Sequence, residues 1–465
     1  MSRRDRALWA FAIVLSFVLL IAPALWNGFP LLQYDTGGYL SPWYDGHLHI
    51  NRAMPYGLLL VLFQRPDFWL VLLVQSALTI WLLALTLRAQ GLGQRPLLLL
   101  GMIAALSVLT TLPWLTAILL TDIFAGLGVL ALYLLLLRAD ALSYRECIAM
   151  AGVVALSAST HSATLGVLWG LVVIAAIVWL IKRERIQYPR LLHAVAALLL
   201  GTLMMVAANA MVVRRLTWAP GGYALSFGRM LQDGIVKKYL DDHCPDASLR
   251  LCPHKTELPH RADAFFWEQE LFRKLGSFEG MHDEMRRIAL ESAADYPMLQ
   301  LRSMLSETVK QLTMVETGAG VVRWVMDSYY SIKDHVPAAL PALNASRQHN
   351  TEFDFTAINR LHVPLALLAM ALLPIIAWVG LRREGFFDIG ELAATVTLAL
   401  LGNAAVFGIF ATAHNRYGAR MVWLAPLVAM LALARLMQRS PRDETSALHF
   451  AATAHSPLAA PRSSG

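Results

Sequence analysis

The chain has 465 residues, of which 57% are hydrophobic and 15% charged, and its mean hydropathy is +0.52. A soluble chain cannot hide that much apolar surface, so most of it must face lipid or other membrane helices. Basic residues exceed acidic ones by 39 to 32. They sit in short hydrophilic breaks between apolar runs, which is membrane topology and excludes a nucleic-acid binder. With 29 Gly, 21 Pro and 3 Cys, the collagen-like, disordered and disulfide-scaffold classes are excluded as well. The composition specifies an all-α polytopic membrane protein.

Crossing ~30 Å of hydrocarbon takes ~20 apolar residues. Such runs fall at about 7–25, 67–87, 97–113, 116–137, 147–160, 163–181, 191–213, 361–381, 387–412 and 421–437, giving about ten transmembrane helices. The first is long and has no A-x-A-like site, so it reads as a span. Ala22-Pro23-Ala24-Leu25 keeps a cleaved signal peptide as the alternative. Residues 1–213 form an N-terminal transmembrane module, 361–437 the C-terminal helices, and 438–465 a Ser/Ala/Pro-rich cytoplasmic tail expected to be disordered. Arg3, Arg4, Arg6, Arg88, Arg95, Arg138, Arg145, Lys182, Arg183, Arg185, Arg382 and Arg383 share one side, which the positive-inside rule makes cytoplasmic. Arg52, Arg65, Arg214, Arg215, Arg416 and Arg420 lie opposite, against that bias.

The first external loop, 26–66, is far longer than two adjacent spans need. It carries Tyr34-Asp35-Thr36-Gly37-Gly38-Tyr39, then Arg52-Ala53-Met54-Pro55-Tyr56. Asp35 reads either as a carboxylate fixed near the lipid boundary or as a plain turn or helix-cap aspartate. Asp122 opens the fourth span in Thr121-Asp122-Ile123. A carboxylate there meets a cation, a metal or a polar cavity, or else stabilises a helix N-terminus. His161 occupies the next external turn, where a satisfied polar turn residue is the plainer reading. The last external turn, His414-Asn415-Arg416-Tyr417-Gly418-Ala419-Arg420, offers guanidinium groups suited to a phosphate, with lipid-headgroup anchoring as the alternative. The chain contains no G-x-x-x-x-G-K-[ST], G-x-S-x-G or H-E-x-x-H element, so ATPase, hydrolase and zincin readings lack their signatures.

Between the seventh and eighth spans, 214–360 reads as a mainly helical extracytoplasmic domain, with an amphipathic helix over 286–316 broken near Pro297. Cys244 and Cys252 lie in it and fit one disulfide in an oxidising compartment. A zinc pair with His243 or His254 is the rival, although C-x7-C lacks the tight spacing of a zinc finger.

The order of these elements resembles the GT-C superfamily of membrane glycosyltransferases, which contains the protein mannosyltransferases and lipid A aminoarabinose transferases. The likeness rests on Asp35 in a long first external loop, the Arg-x-x-Pro-like stretch at Arg52, Asp122 at the start of the fourth span, and the Arg416-Tyr417 turn before a late span. It covers 1–215 and 360–437. Two features depart from it: Thr36-Gly37 follows Asp35 where many relatives carry a second acid, and the external domain is not C-terminal.

The resemblance implies transfer of a sugar from a polyprenyl-phosphate donor to a glycan, lipid or protein acceptor, on the periplasmic or external face of a bacterial-type inner membrane. Asp35 would be the catalytic base. Arg52, Tyr56, Asp122, His161, Arg416, Tyr417 and Arg420 would bind substrate, the two arginines of the last turn holding the departing phosphate. Asp122 and His161 could instead hold a divalent cation. An O-antigen-ligase or polymerase-like enzyme, a transporter or flippase of lipid-linked sugars, and a non-catalytic receptor or assembly subunit are the competing classes. A transporter would place charges near mid-span and show broken helices in paired halves.

Overall fold

The computed structural model describes residues 2–439 apart from 51, 94, 184, 219 and 220. The tail read at 438–465 lies almost wholly outside the described residues. The apolar runs become helices, tolerating Pro23, Pro364 and Pro374 inside them, because a backbone in lipid must satisfy its own hydrogen bonds. In chain order these are α1 (Arg3–Asn27), α2 (Thr36–Leu40), α3 (Met54–Leu62), α4 (Trp69–Ala89), α5 (Pro96–Leu109), α6 (Asp122–Leu137), α7 (Tyr144–Thr160), α8 (Ser162–Ile181) and α9 (Tyr188–Val213). After them come α10 (Gly222–Gln232), α11 (Ile235–His243), α12 (His282–Asp295), α13 (Pro297–Thr313) and α14 (Met326–His335). The chain closes with α15 (Thr356–Gly380), α16 (Phe387–Phe410), α17 (Asn415–Val422) and α18 (Leu424–Arg439).

Seven helices are long and apolar enough to cross a membrane: α1, α4, α8, α9, α15, α16 and the α17–α18 pair counted as one. This is a multi-pass helical membrane protein. The shorter apolar α5 and α6, and the 17-residue α7, fill the other three apolar runs. Helix α6 is buried on every side from Asp122 to Leu136, so the bundle is assembled around it. An all-round apolar helix is the sequence form such a position requires.

One boundary differs from the hydropathy reading where it shapes the site. The fourth run was expected to be helical from 116, but the helix begins at Asp122. Ile118 is extended and bridges to Leu31, with Leu31 N donating to Ala117 O at 2.9 Å and Leu119 N to Leu31 O at 2.9 Å. That pairing draws the first loop down onto the N-terminus of α6. The loop accordingly packs into the bundle, with Phe29, Leu31, Leu32, Tyr39 and Leu40 all buried.

The stretch 214–360, read as one domain, divides in two. From Ala224 to Ala289 it forms its own core, including Phe227, Tyr239, Phe265, Phe272, Met285 and Ile288. Cys244 and Cys252 pack against that core and are joined by a disulfide, so the zinc reading falls. From Val321 to Leu343 the chain joins the main bundle core instead. Gln348 holds it to the first loop, accepting from Leu32 N at 3.0 Å and donating to Leu32 O at 2.7 Å. The break expected near Pro297 falls at Tyr296, between α12 and α13.

Candidate functional site

Asp35 stands immediately before α2, and its side chain makes no capping bond, so the helix-cap reading does not account for it. The turn is pinned from several elements. Asp35 N donates to Gln33 Oε1 at 2.8 Å, and Thr36 Oγ1 donates to Leu119 O at 3.0 Å. Gly37 N donates to Ser328 Oγ of α14 at 2.9 Å. A Cβ on Gly37 would lie 2.8 Å from Asp327 O, so only glycine lets α14 come this close.

With the turn fixed, the Asp35 carboxylate receives Arg52 on one oxygen and Arg416 on the other. Arg416 Nε also donates to Asp122 Oδ2 at 2.7 Å, and its Nη2 lies 3.4 Å from Asp122 Oδ1. One guanidinium from α17 therefore bridges a loop carboxylate and the first residue of α6. Asp122 is only 3% exposed. Burial by itself would raise the Asp35 carboxyl, but Arg52 and Arg416 outweigh it and bring its pKa down to about 2. Asp35 is thus a carboxylate at any physiological pH.

Tyr39 lines this network. The Arg52 guanidinium lies 5.7 Å from its ring centroid, and its hydroxyl lies 3.4 Å from Thr121 Oγ1. Tyr56, read from sequence as a substrate contact, sits behind Tyr39 in edge contact at 5.5 Å and donates to Gln75 Oε1 at 3.0 Å. It supports the wall and is fully buried. His161 ends α7 and caps α8, its Nδ1 accepting from Ala163 N at 3.1 Å. Burial first, then Arg420, Arg416 and Arg52, hold its imidazole well below the usual range, so it is neutral.

Tyr417 stacks flat on Phe407 at 3.8 Å. The Arg420 guanidinium lies over the same ring at 4.9 Å, and its Nε donates to Asn403 Oδ1 at 3.0 Å. Arg420 is 1% exposed, pairs with no carboxylate among the described residues, and its Nη2 has no hydrogen-bond partner. Arg52 Nε is likewise buried and unpartnered. Three guanidinium groups thus face two carboxylates, an excess of one positive charge. A buried cation without a counter-charge is costly, and an arriving anion would relieve it.

Asp122 and His161 do not form a cation site here, because both Asp122 oxygens are turned to Arg416. No group of three His, Cys, Asp or Glu side chains gathers among the described residues. Sequence reading missed Tyr39 and Asn403. The latter left a trace, as a lone buried amide in the apolar run of α16. No family model matches the chain, and neither does any curated protein or solved structure.

Proposed function

We propose that the protein is a membrane glycosyltransferase that moves a sugar from a polyprenyl-phosphate donor to an acceptor on the extracytoplasmic side of a bacterial-type inner membrane, with ten transmembrane helices and a GT-C-like arrangement. The observation that carries this reading is the unbalanced ion network. Asp35, Asp122, Arg52 and Arg416 converge from separate elements, and beside them Arg420 is buried with an unused donor. A lipid-linked phosphate supplies the missing negative charge and the acceptor atoms that guanidinium groups bind in pairs. Its isoprenoid tail stays in the bilayer while the sugar sits among the polar residues.

In the reaction the acceptor hydroxyl oxygen attacks the anomeric carbon and forms the new glycosidic bond. The bond from that carbon to the phosphate oxygen breaks, and the phosphate leaves with the electron pair. The hydroxyl proton goes to Asp35. A carboxylate clamped by two arginines is a weak base, and general-base catalysis works best with a pKa nearer the working pH. The donor resolves this, because its phosphate competes for Arg416. As Arg416 turns to the phosphate, Asp35 loses part of its neutralising charge and becomes more basic. Arg420 and Arg416 then offset the charge that grows on the leaving phosphate.

The test is sugar transfer from a labelled polyprenyl-phosphate sugar by the purified protein in vesicles. The wild type transfers sugar, and Asp35→Asn folds but does not. Near-wild-type turnover by Asp35→Asn removes Asp35 as the base.

A further inference from the structure

Helix α13 is amphipathic in the wrong sense for water. Its polar residues Gln300, Ser303, Glu307 and Gln311 recur at helical spacing and are all buried, Gln311 to 1% and Glu307 to 6%. Its apolar residues Met298, Leu301, Leu305 and Val309 recur on another face and are exposed, Leu305 to 58% and Val309 to 64%. Burying apolar surface drives folding in water, so an aqueous domain would turn this helix over. In lipid the same arrangement is the stable one, because polar groups there must find partners inside the protein.

We propose that the outward face of α13 is a lipid contact, occupied by acyl chains of the bilayer leaflet on the Asp35 side of the protein. Most of the inward polar face is satisfied by the protein, as a helix at membrane depth requires, with Gln300 Nε2 the one amide atom on it left without a partner. Gln311 donates to His414 O at 3.0 Å and accepts from His414 N at 2.8 Å. Glu307 accepts from Ala413 N at 2.9 Å, and Gln300 accepts from Arg229 at 2.7 Å.

Position along the bundle supports the same occupant. Helix α13 packs against the spanning helix α16. A Cβ on Gly408 would lie 2.4 Å from Thr308 Oγ1 and 2.5 Å from Thr308 N, so the two backbones touch in the last turn of α16. Leu401 and Phe410 of α16, the spanning helix that α13 packs on, are themselves exposed apolar residues. From Met298 to Val309 the stripe runs about 16 Å, roughly half the hydrocarbon thickness, which suits a helix held in one leaflet. Arg302 and Lys310 are exposed beside it, and Lys310 pairs with Glu307 at 3.3 Å. The stretch 214–360 is therefore not wholly outside the membrane, and its chain passes through lipid just before it reaches the segment that braces Asp35.

Nitroxide labels test this in the full-length protein, with Cys147→Ser as background and the Cys244–Cys252 disulfide intact. Leu305→Cys, Val309→Cys and, as the aqueous control on the exposed face of α11, Lys237→Cys are labelled in phosphatidylethanolamine/phosphatidylglycerol vesicles. Collision rates are measured with oxygen, which concentrates in hydrocarbon, and with a water-soluble nickel chelate. The ratio of oxygen to nickel collisions should be several-fold higher at 305 and 309 than at 237. Nickel collisions at 305 and 309 equal to those at 237 would overturn the proposal. Exclusion of both reagents from those positions would overturn it too, since a protein partner would then cover the face.

Discussion

The two ends of α6 each carry an ion network, and the networks are built differently. Asp122 opens the helix and Arg138 follows its last residue, charges that suit the helix dipole at both ends. At the Arg138 end, Arg138 pairs with Glu391 and donates to the Tyr133 hydroxyl at 3.0 Å. Arg435 pairs with Asp388 at 3.5 Å and donates to Gln90 O at 2.8 Å and Gly385 O at 2.9 Å. Each of these arginines has its carboxylate; of the orphaned atoms nearby, Gln90 Oε1 is an acceptor that asks for no anion, and Arg88, whose Nε is unpartnered, is already paired with Glu146 at 2.7 Å. Exposed Arg185 lies against the Phe387 ring at 4.3 Å, at the solvent edge. At the Asp122 end the count is uneven, and Arg420 keeps an unused donor while fully buried. A balanced network is a clasp that holds helices together. An unbalanced one, on the function proposed above, receives a ligand that brings the missing charge.

That contrast is broken or sharpened by substitutions at the two ends. The largest effect is expected from Asp35→Asn, with kcat for sugar transfer falling ~10²–10⁴-fold, the usual range for a general base. Arg416→Lys keeps the charge but cannot bridge Asp35 and Asp122 together. It should lower kcat/KM about 10- to 100-fold, equivalent to losing ~1.5–3 kcal/mol of charge-assisted hydrogen bonding. Steady-state kinetics that match the wild type would show that the bridge is dispensable.

The acid side of the pH profile should separate the free and donor-bound enzyme. In the free protein Asp35 has a pKa of about 2, so it is ionised from about pH 4 upward and kcat/KM shows no acid limb from it in that range. Once the donor draws Arg416 away, the Asp35 pKa rises, and kcat should fall off on the acid side at a higher pH than kcat/KM does. The opposite order would contradict competition for Arg416. The smallest kinetic effect is expected at the other end. Glu391→Gln leaves Arg138 without its carboxylate at a partly exposed site, which should cost about 1–3 kcal/mol of stability in thermal or denaturant unfolding. KM and kcat should stay within about twofold of the wild type, because the clasp takes no part in transfer.

Much of this was legible in the sequence, for reasons that can be named. Hydropathy runs of membrane length marked the long helices, and the charges flanking them marked Asp35, Asp122 and Arg416 as costly residues needing an explanation. Their meeting was not legible, because it depends on Leu31 pairing with Ile118 and on α14 packing over Gly37, contacts between segments far apart in the chain. Tyr56 was misplaced because a polar aromatic beside a motif reads alike whether it lines a site or supports its wall. That 214–360 contributes to two separate cores was not legible either, because an amphipathic pattern like that of α13 does not say what each face packs against. A pattern of period 3.6 gives the two faces of a helix but not which of them points inward.

Binding of polyprenyl phosphate to Arg420 is the most direct test of the central claim, that the unbalanced network receives a lipid phosphate. Wild type and Arg420→Met are titrated with polyprenyl phosphate and with the uncharged polyprenol of equal length, in detergent, and binding is read by native mass spectrometry. The account predicts that the wild type binds the phosphate and discriminates against the alcohol, and that Arg420→Met weakens phosphate binding about 10- to 100-fold while leaving the weak alcohol binding unchanged. Equal affinity of the wild type for phosphate and alcohol, or undiminished phosphate binding by Arg420→Met, would contradict it.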